Sequence, residues 1–292
     1  MALTQQLPAA PTDTVQKRGK SLIQHGKNSD RVYLIKVHQA DLPELLHEVA
    51  GLVDKHGYSK VFAKIPGDAA EEFLARGYQI EAFIPRFYNQ RTAALFFARY
   101  PDPARAETGA AAAEIARVVK IARARRQKGL VFLPPAGFTL RTLEVADAEA
   151  AAAVYRTVFA TYPFPIHDPA YLRQTMASHV VYFGCFHEGR LVAVSSAELD
   201  VEGENGEMTD FATLPEFRGR RLACVLLQRM EAEMARRNIR MLYTIARALS
   251  PGMNITFALC GYTFAGTLRN NTQIAGAIES MNQSYSFSAI TT

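Results

Sequence analysis

Hydrophobic and polar positions change period several times along the chain. Arg31 to Val37 alternates and is rich in β-branched residues, which predicts a strand, and Asp41-Leu42-Pro43 then opens an amphipathic helix to about Lys55. Gly57 ends that helix, Lys60 to Ile65 reads as a second strand, and Pro66-Gly67-Asp68 caps a helix that runs to Arg76 and closes at Gly77. Two strand-like runs follow, Gln79 to Pro85 and Ala93 to Tyr100. The pattern restarts at Phe138 to Leu143, with an alanine-rich helix to about Phe159 and a proline-rich connection through Pro169. Val180 to His187 and Arg190 to Asp200 predict a strand pair across Glu188-Gly189, and Glu207 to Thr213 a further strand. From Leu222 to Asn238, Leu222, Val225, Leu226, Met230 and Met234 fall close to one helical face. Met241 to Ala246 is strand-like, Met253 to Cys260 helical, and Thr263 to Leu268 and Ser280 to Phe287 are closing strands.

Strands and helices interleaved in this way predict an α/β fold with a mixed sheet. The organisation expected is a disordered leader over 1–27, a first domain over 28–103, a helical linker over 104–136 and a second domain over 137–292. The linker is rich in Ala, Glu and Arg; its basic residues Arg117, Lys120, Arg123, Arg125, Arg126 and Lys128 read as a solvated helix face packed between domains. At 292 residues and 49% hydrophobic, the chain has enough apolar material for two cores. A net charge of +5 is small for a nucleic-acid-binding protein, and no aromatic-basic repeat accompanies it. No apolar run approaches the ~20 residues of a membrane span. The three cysteines, Cys185, Cys224 and Cys260, are far apart and odd in number, which argues against a disulfide framework or a metal site and fits a reducing cytoplasm.

One turn carries the chemistry. A strand running into an Arg/Gly-rich turn and then a helix aims unpaired backbone N–H groups and the positive end of a helix dipole at one point, which suits a pyrophosphate. Here the turn is Pro215 to Arg221, ending in Arg218-Gly219-Arg220-Arg221-Leu222-Ala223. With the order of elements around it, this resembles the Gcn5-related N-acetyltransferase superfamily, in which the turn reads Arg/Gln-x-x-Gly-x-Gly/Ala. Arg218 and Ala223 match, whereas Arg221 stands where the superfamily usually has glycine. A closer resemblance runs through Glu207-Met208-Thr209-Asp210-Phe211-Ala212-Thr213-Leu214-Pro215, Tyr243-Thr244-Ile245-Ala246-Arg247-Ala248, Gly252-Met253-Asn254 and Ile278-Glu279-Ser280-Met281-Asn282. Lys60 to Pro66 and Gly77 to Pro85 extend it into the first half. These strings resemble the beta-lysine N-acetyltransferases over about residues 28 to 285.

That resemblance implies acetyl transfer from acetyl-CoA, with no metal, to the ε-amine of β-lysine, giving the neutral compatible solute N6-acetyl-β-lysine. The alternatives are acetylation of a protein lysine or a polyamine, or a CoA-binding sensor. It further implies a small-molecule amine as partner, neither nucleic acid nor membrane, with a homodimer among the assemblies the sequence allows. An alkyl amine is neutral in only about one molecule in 2,500 at pH 7, so a proton acceptor is needed. The resemblance implies Glu207 as first candidate, since it lies six residues before Thr213, the spacing at which histone-acetylating members of the superfamily carry a glutamate base. Asp210 is the rival, because the bulge usual in this strand of the superfamily would turn both towards one cleft. Phe211, Ala212 and Thr213 would lie along the pantetheine, with a backbone N–H of Ala212 or Thr213 as oxyanion donor. Arg218 to Ala223 would hold the pyrophosphate, with Asn254 and Phe257 on the next helix beside the pantetheine. Phe257 occupies the position where many relatives have a tyrosine acid, so the thiolate either leaves unprotonated or receives its proton from Tyr243, Cys260 or Tyr262. Arg247 is a candidate for the substrate carboxylate, and Glu279 with Asn270, Asn271 and Asn282 for its ammonium and hydrogen bonds.

Finally, Phe73-Leu74-Ala75-Arg76-Gly77-Tyr78 and Phe257-Ala258-Leu259-Cys260-Gly261-Tyr262 share a Phe-x-x-x-Gly-Tyr helix ending. Either both use a common glycine stop, or residues 28 to 100 are a degenerate acetyltransferase half that cannot bind CoA.

Overall fold

The structure, a computed structural model, describes residues 13–274 and 276–288. The first half contains β1 (Thr14–Arg18), β2 (Ser21–Gly26), β3 (Arg31–Lys36), α1 (Glu44–His56), β4 (Lys60–Pro66), α2 (Ala70–Leu74), β5 (Gln79–Tyr88) and β6 (Thr92–Arg99). α3 (Ala111–Ala124) connects it to β7 (Phe138–Thr142), α4 (Ala148–Val158), α5 (Pro169–Met176), β8 (Val180–His187), β9 (Arg190–Asp200) and β10 (Asn205–Thr213). The chain ends with α6 (Leu222–Arg236), β11 (Met241–Arg247), α7 (Pro251–Leu259), β12 (Thr263–Ile274) and β13 (Ala277–Phe287). The thirteen strands of the described residues form one sheet in the order β1-β2-β3-β4-β6-β5-β12-β13-β11-β10-β9-β8-β7.

Three sequence expectations are corrected. The disordered leader over 1–27 does not hold from Thr14 onward, where β1 and β2 pair antiparallel and join β3; residues 1–12 lie outside the described residues. Ser21 and Ile23 are fully buried in this extension, so the first half begins well before residue 28. The linker helix stops at Ala124, short of Arg125, Arg126 and Lys128, and α3 packs on α7 and β12. The closing strands do not stop at Leu268 and Ser280: β12 runs on to Ile274 and β13 starts at Ala277, with Thr272 opposite Glu279.

The two halves repeat one plan. Strands β1 to β6 pair antiparallel, antiparallel, parallel, antiparallel and antiparallel in the order β1-β2-β3-β4-β6-β5. Strands β8 to β13 pair with the same senses in the order β8-β9-β10-β11-β13-β12. In each half a longer helix follows the third strand (α1, α6) and a shorter one the fourth (α2, α7). The shared sequence ending has a shared geometry: Gly77 and Gly261 take φ of 76° and 88°, as a left-handed helix stop requires. Tyr78 N–H then bonds Phe73 O at 3.2 Å, and Tyr262 N–H bonds Phe257 O at 3.0 Å. The Phe73/Tyr78 and Phe257/Tyr262 rings both meet edge-on at 5.1 Å.

The half-sheets join where β5 and β12, the equivalent strands, meet antiparallel at Gly266 and Ala82. A Cβ on Gly266 would strike the Glu81 carbonyl oxygen and lie 2.7 Å from Ala82 Cα, so this approach requires glycine. Beside it the Glu81 carboxylate accepts from Lys60 Nζ at 2.9 Å, from Tyr100 Oη, and from Arg269 N and Nε at 3.0 and 3.1 Å. Each half has its own apolar core, and a third cluster fills the space between them. That cluster joins Tyr33, Phe62, Phe87 and Phe96 to Met241, Tyr243, Leu268 and Met281.

Candidate active site

β10 and β11 are parallel neighbours only over Asn205–Glu207 and Met241–Tyr243, after which they part. Beyond Glu207, the edge of β10 that faced β11 therefore has no strand partner, while its other edge stays paired with β9. The ladder shifts register between Thr209 and Ala212, and Asp210 takes φ 55° there. This is the bulge that the rivalry between Glu207 and Asp210 required. An extended ligand could add to the open edge by main-chain hydrogen bonds.

At the point of divergence three side chains stand in one row, because Glu198, Glu207 and Tyr243 are register partners on β9, β10 and β11. Burial pushes the Glu207 carboxyl up to about 8; Glu198 opposite adds to the rise, while Lys64 and a hydrogen bond with Tyr243 oppose it. A carboxyl held there takes up a proton readily near neutral pH. Tyr243 is buried, and its hydroxyl accepts from Lys64 Nζ at 2.7 Å. Asp210 is committed elsewhere: its carboxylate accepts from Tyr162 Oη, from Ser196 Oγ at 2.5 Å and from Thr209 Oγ1 at 3.3 Å. Burial raises its pKa and these bonds oppose the rise; through them Asp210 ties the Tyr162 segment to β9 and β10.

The other candidate residues divide by surroundings. Arg247 and Glu279 meet as a two-pronged ion pair, Nε to Oε2 at 2.9 Å and Nη2 to Oε1 at 2.5 Å, so each satisfies the other's charge. Asn271 is buried and its backbone carbonyl accepts from Arg31, which directs it to the seam with the first half. Asn254 lies in the first turn and a half of α7, whose N-cap is Ser250. Its amide donates to Arg247 O and Ser250 O at 3.0 and 2.8 Å and accepts from Asn282 at 2.8 Å. Phe257 is 2% exposed and packs edge-on against Phe211 at 5.5 Å, supporting the open strand from below. Ala212 and Leu222 are buried, which leaves their backbone amides as what they can offer a ligand.

In the Arg218–Ala223 turn, the amides of Gly219 to Ala223 have no backbone acceptor among the described residues, as an anion-binding turn requires. Arg218 Nε donates to Thr213 O at 3.2 Å, and Arg220 lies 5.9 Å from the rings of both Phe138 and Phe217. Arg221 takes φ 60° and ψ 22°, the left-handed conformation that glycine enters freely, with its guanidinium 6.0 Å from the Phe132 ring. Arg221→Gly should therefore keep CoA affinity within about threefold and leave the melting temperature unchanged or raised by a gain of up to ~1 kcal/mol. A tenfold loss in a CoA titration would show that the guanidinium swings onto the phosphates.

The sequence reading missed Lys64, Glu198, Tyr162 and Ser196. Lys64 left a signal, a lysine among the apolar residues Val61, Phe62, Ala63 and Ile65 of β4. The other three were invisible because their places depend on sheet register and on the path of the loop before α5.

The profile of the Acetyltransferase (GNAT) family matches residues 149–256. The beta-lysine N(6)-acetyltransferase of Methanococcus maripaludis is 37% identical over 270 residues, 92% of this chain and 96% of that protein. The enzyme of the same name from Methanosarcina mazei is 32% identical, covering 80% of this chain and 95% of its own. Among solved structures, the ribosomal-protein-S18-alanine N-acetyltransferase of Escherichia coli aligns with 53% of this chain and 96% of its own at 16% identity and a TM-score of 0.46.

Proposed function

Since the chain belongs to the beta-lysine N(6)-acetyltransferase family of GNAT acetyltransferases, we propose that it moves the acetyl group of acetyl-CoA to the ε-amine of β-lysine. The observation that carries the mechanism is Glu207 at the divergence of β10 and β11, with a proton affinity suited to a general base. The open edge of β10 would take the pantetheine, and the amides of Gly219 to Ala223, which have no backbone acceptor among the described residues, would take the pyrophosphate. Glu207 takes one proton from the substrate ammonium. The freed amine forms the C–N bond to the acetyl carbon, and the carbonyl oxygen becomes an oxyanion held by a backbone N–H of the bulge. Collapse breaks the C–S bond; the thiolate takes the second nitrogen proton and Glu207 returns its own to water. The products are the amide, CoA and one released proton.

Acetylation removes one of the two positive charges of β-lysine and leaves a molecule of zero net charge, which fits a compatible solute used in osmoadaptation. Its place of action on this reading is the cytoplasm. The first half is a degenerate copy of the second. Counting along the parallel pairs, Tyr33 opposite Phe62 stands where Glu207 stands opposite Tyr243, so the copy lacks the base. Between β3 and α1 it also has no Arg/Gly turn.

The test is thiol release from acetyl-CoA with β-lysine, lysine, a polyamine and a lysine peptide as acceptors. β-Lysine should give the highest kcat/KM. Preference for the polyamine or peptide would replace the substrate, and CoA binding without turnover of any amine would replace the enzyme reading with that of a sensor.

A further inference from the structure

The row that holds Glu207 is completed from outside the acetyltransferase half. Lys64 lies on β4, and its Nζ donates to Tyr243 Oη at 2.7 Å while lying 4.9 Å from the Tyr243 ring and 5.7 Å from that of Phe87. A hydroxyl that accepts from an ammonium has its own proton free to donate, and the neighbour that Tyr243 meets in register is Glu207. We propose that Lys64 is a positioning residue for acetyl transfer, which fixes the Tyr243 hydroxyl as a donor to Glu207 and makes the first half part of the catalytic unit. The proposal rests on the acetyl-transfer reading above.

The surrounding charges give the lysine work to do. Glu207 faces Glu198 from β9, Asp210 from its own strand, Tyr243 from β11, Lys64 from β4 and Tyr33 from β3. Lys64 in turn feels Glu207, Glu198 and Asp200 on one side and Lys36 on the other. Like charges directly opposite in a sheet repel, so the Glu198/Glu207 pair disfavours ionised Glu207. Lys64 is the cation that offsets this repulsion within the cleft. Lys36 is spoken for at the rim, 3.2 Å from Glu202. An opposite charge close to a carboxylate lowers its pKa by about 1–3 units, so removal of Lys64 raises the pH at which Glu207 becomes a base.

The experiment is the pH profile of kcat/KM for the full chain with its best acceptor, the rising limb being assigned by its absence in Glu207→Gln. In Lys64→Met the limb should move up by about one unit or more, which is a ~10-fold loss at pH 7 that closes above the limb. Lys64→Arg, which keeps charge and donors, should hold the limb in place. Tyr243→Phe keeps the ring on Phe87 and the Lys64 charge but deletes the hydroxyl, and should move the limb up by less than Lys64→Met; it also serves where Lys64→Met fails to fold. An unmoved limb in the neutral variants, or an arginine variant that behaves like the methionine one, overturns the role of Lys64. Wild-type protein without turnover of any amine would instead overturn the acetyl-transfer reading itself.

Discussion

Glu207→Gln is expected to lower kcat by about 10²–10⁴-fold while leaving CoA binding intact, and to abolish the rise of kcat/KM through pH ~8. The substitution keeps shape and loses the proton acceptor in the middle of the Glu198–Glu207–Tyr243 row. The direction of the pH effect follows from the cause of the shift: burial and Glu198 disfavour the carboxylate, so below about 8 most Glu207 is already protonated and cannot accept. Activity should therefore climb from pH 6 and level off above 8. Steady-state kinetics from pH 6 to 10 measure both effects. A glutamine variant within threefold of wild type at every pH would remove Glu207 from the chemistry and return attention to Asp210, despite its hydrogen bonds to Tyr162, Ser196 and Thr209.

The second large effect is on stability. Glu81→Leu is expected to cost about 3–5 kcal/mol, because it strands the fully buried Lys60 ammonium, whose remaining partner is the Arg269 carbonyl oxygen at 2.6 Å. Burial of Lys60 pulls its pKa down, and Glu81 is the first group holding it up. The same carboxylate bonds Tyr100 and Arg269, so one substitution loosens β4, β5 and β12 together. Urea unfolding followed by circular dichroism reads the loss. A change under 1 kcal/mol would mean that the apolar cluster between the halves carries the seam alone.

The sequence held most of the architecture because hydrophobic period and glycine stops are local. Most of the strand and helix order from Arg31 onward, the Gly77 and Gly261 endings and the Arg/Gly-rich turn could be read without knowing what lies across the sheet, whereas α5 went unread behind the proline-rich connection that leads into it. β1 escaped because Thr14–Arg18 is polar and mostly exposed at the sheet edge, so it has no apolar alternation to detect. The site was half legible. Glu207 became a candidate through its position in the superfamily resemblance, but Arg247 and Glu279 each looked available, since nothing local says that β11 and β13 bring them together. Lys64 stood out as a lysine within a strand, but its partner could not be read for the same reason: Tyr243 stands 179 residues further along the chain.

The apolar face that β4, β5 and β6 turn towards β11 and β13 has a further consequence during synthesis. A ribosome releases residues 13–100 well before Met241, Tyr243 and Met281 exist to cover Phe62, Phe87 and Phe96. Until then the nascent chain presents an aromatic surface beside β5, whose outer edge has no partner, and carries Lys60 without the Arg269 carbonyl contact that completes its seat. A chaperone would find its binding site there, and a message cut short after residue 100 would yield a protein prone to aggregate.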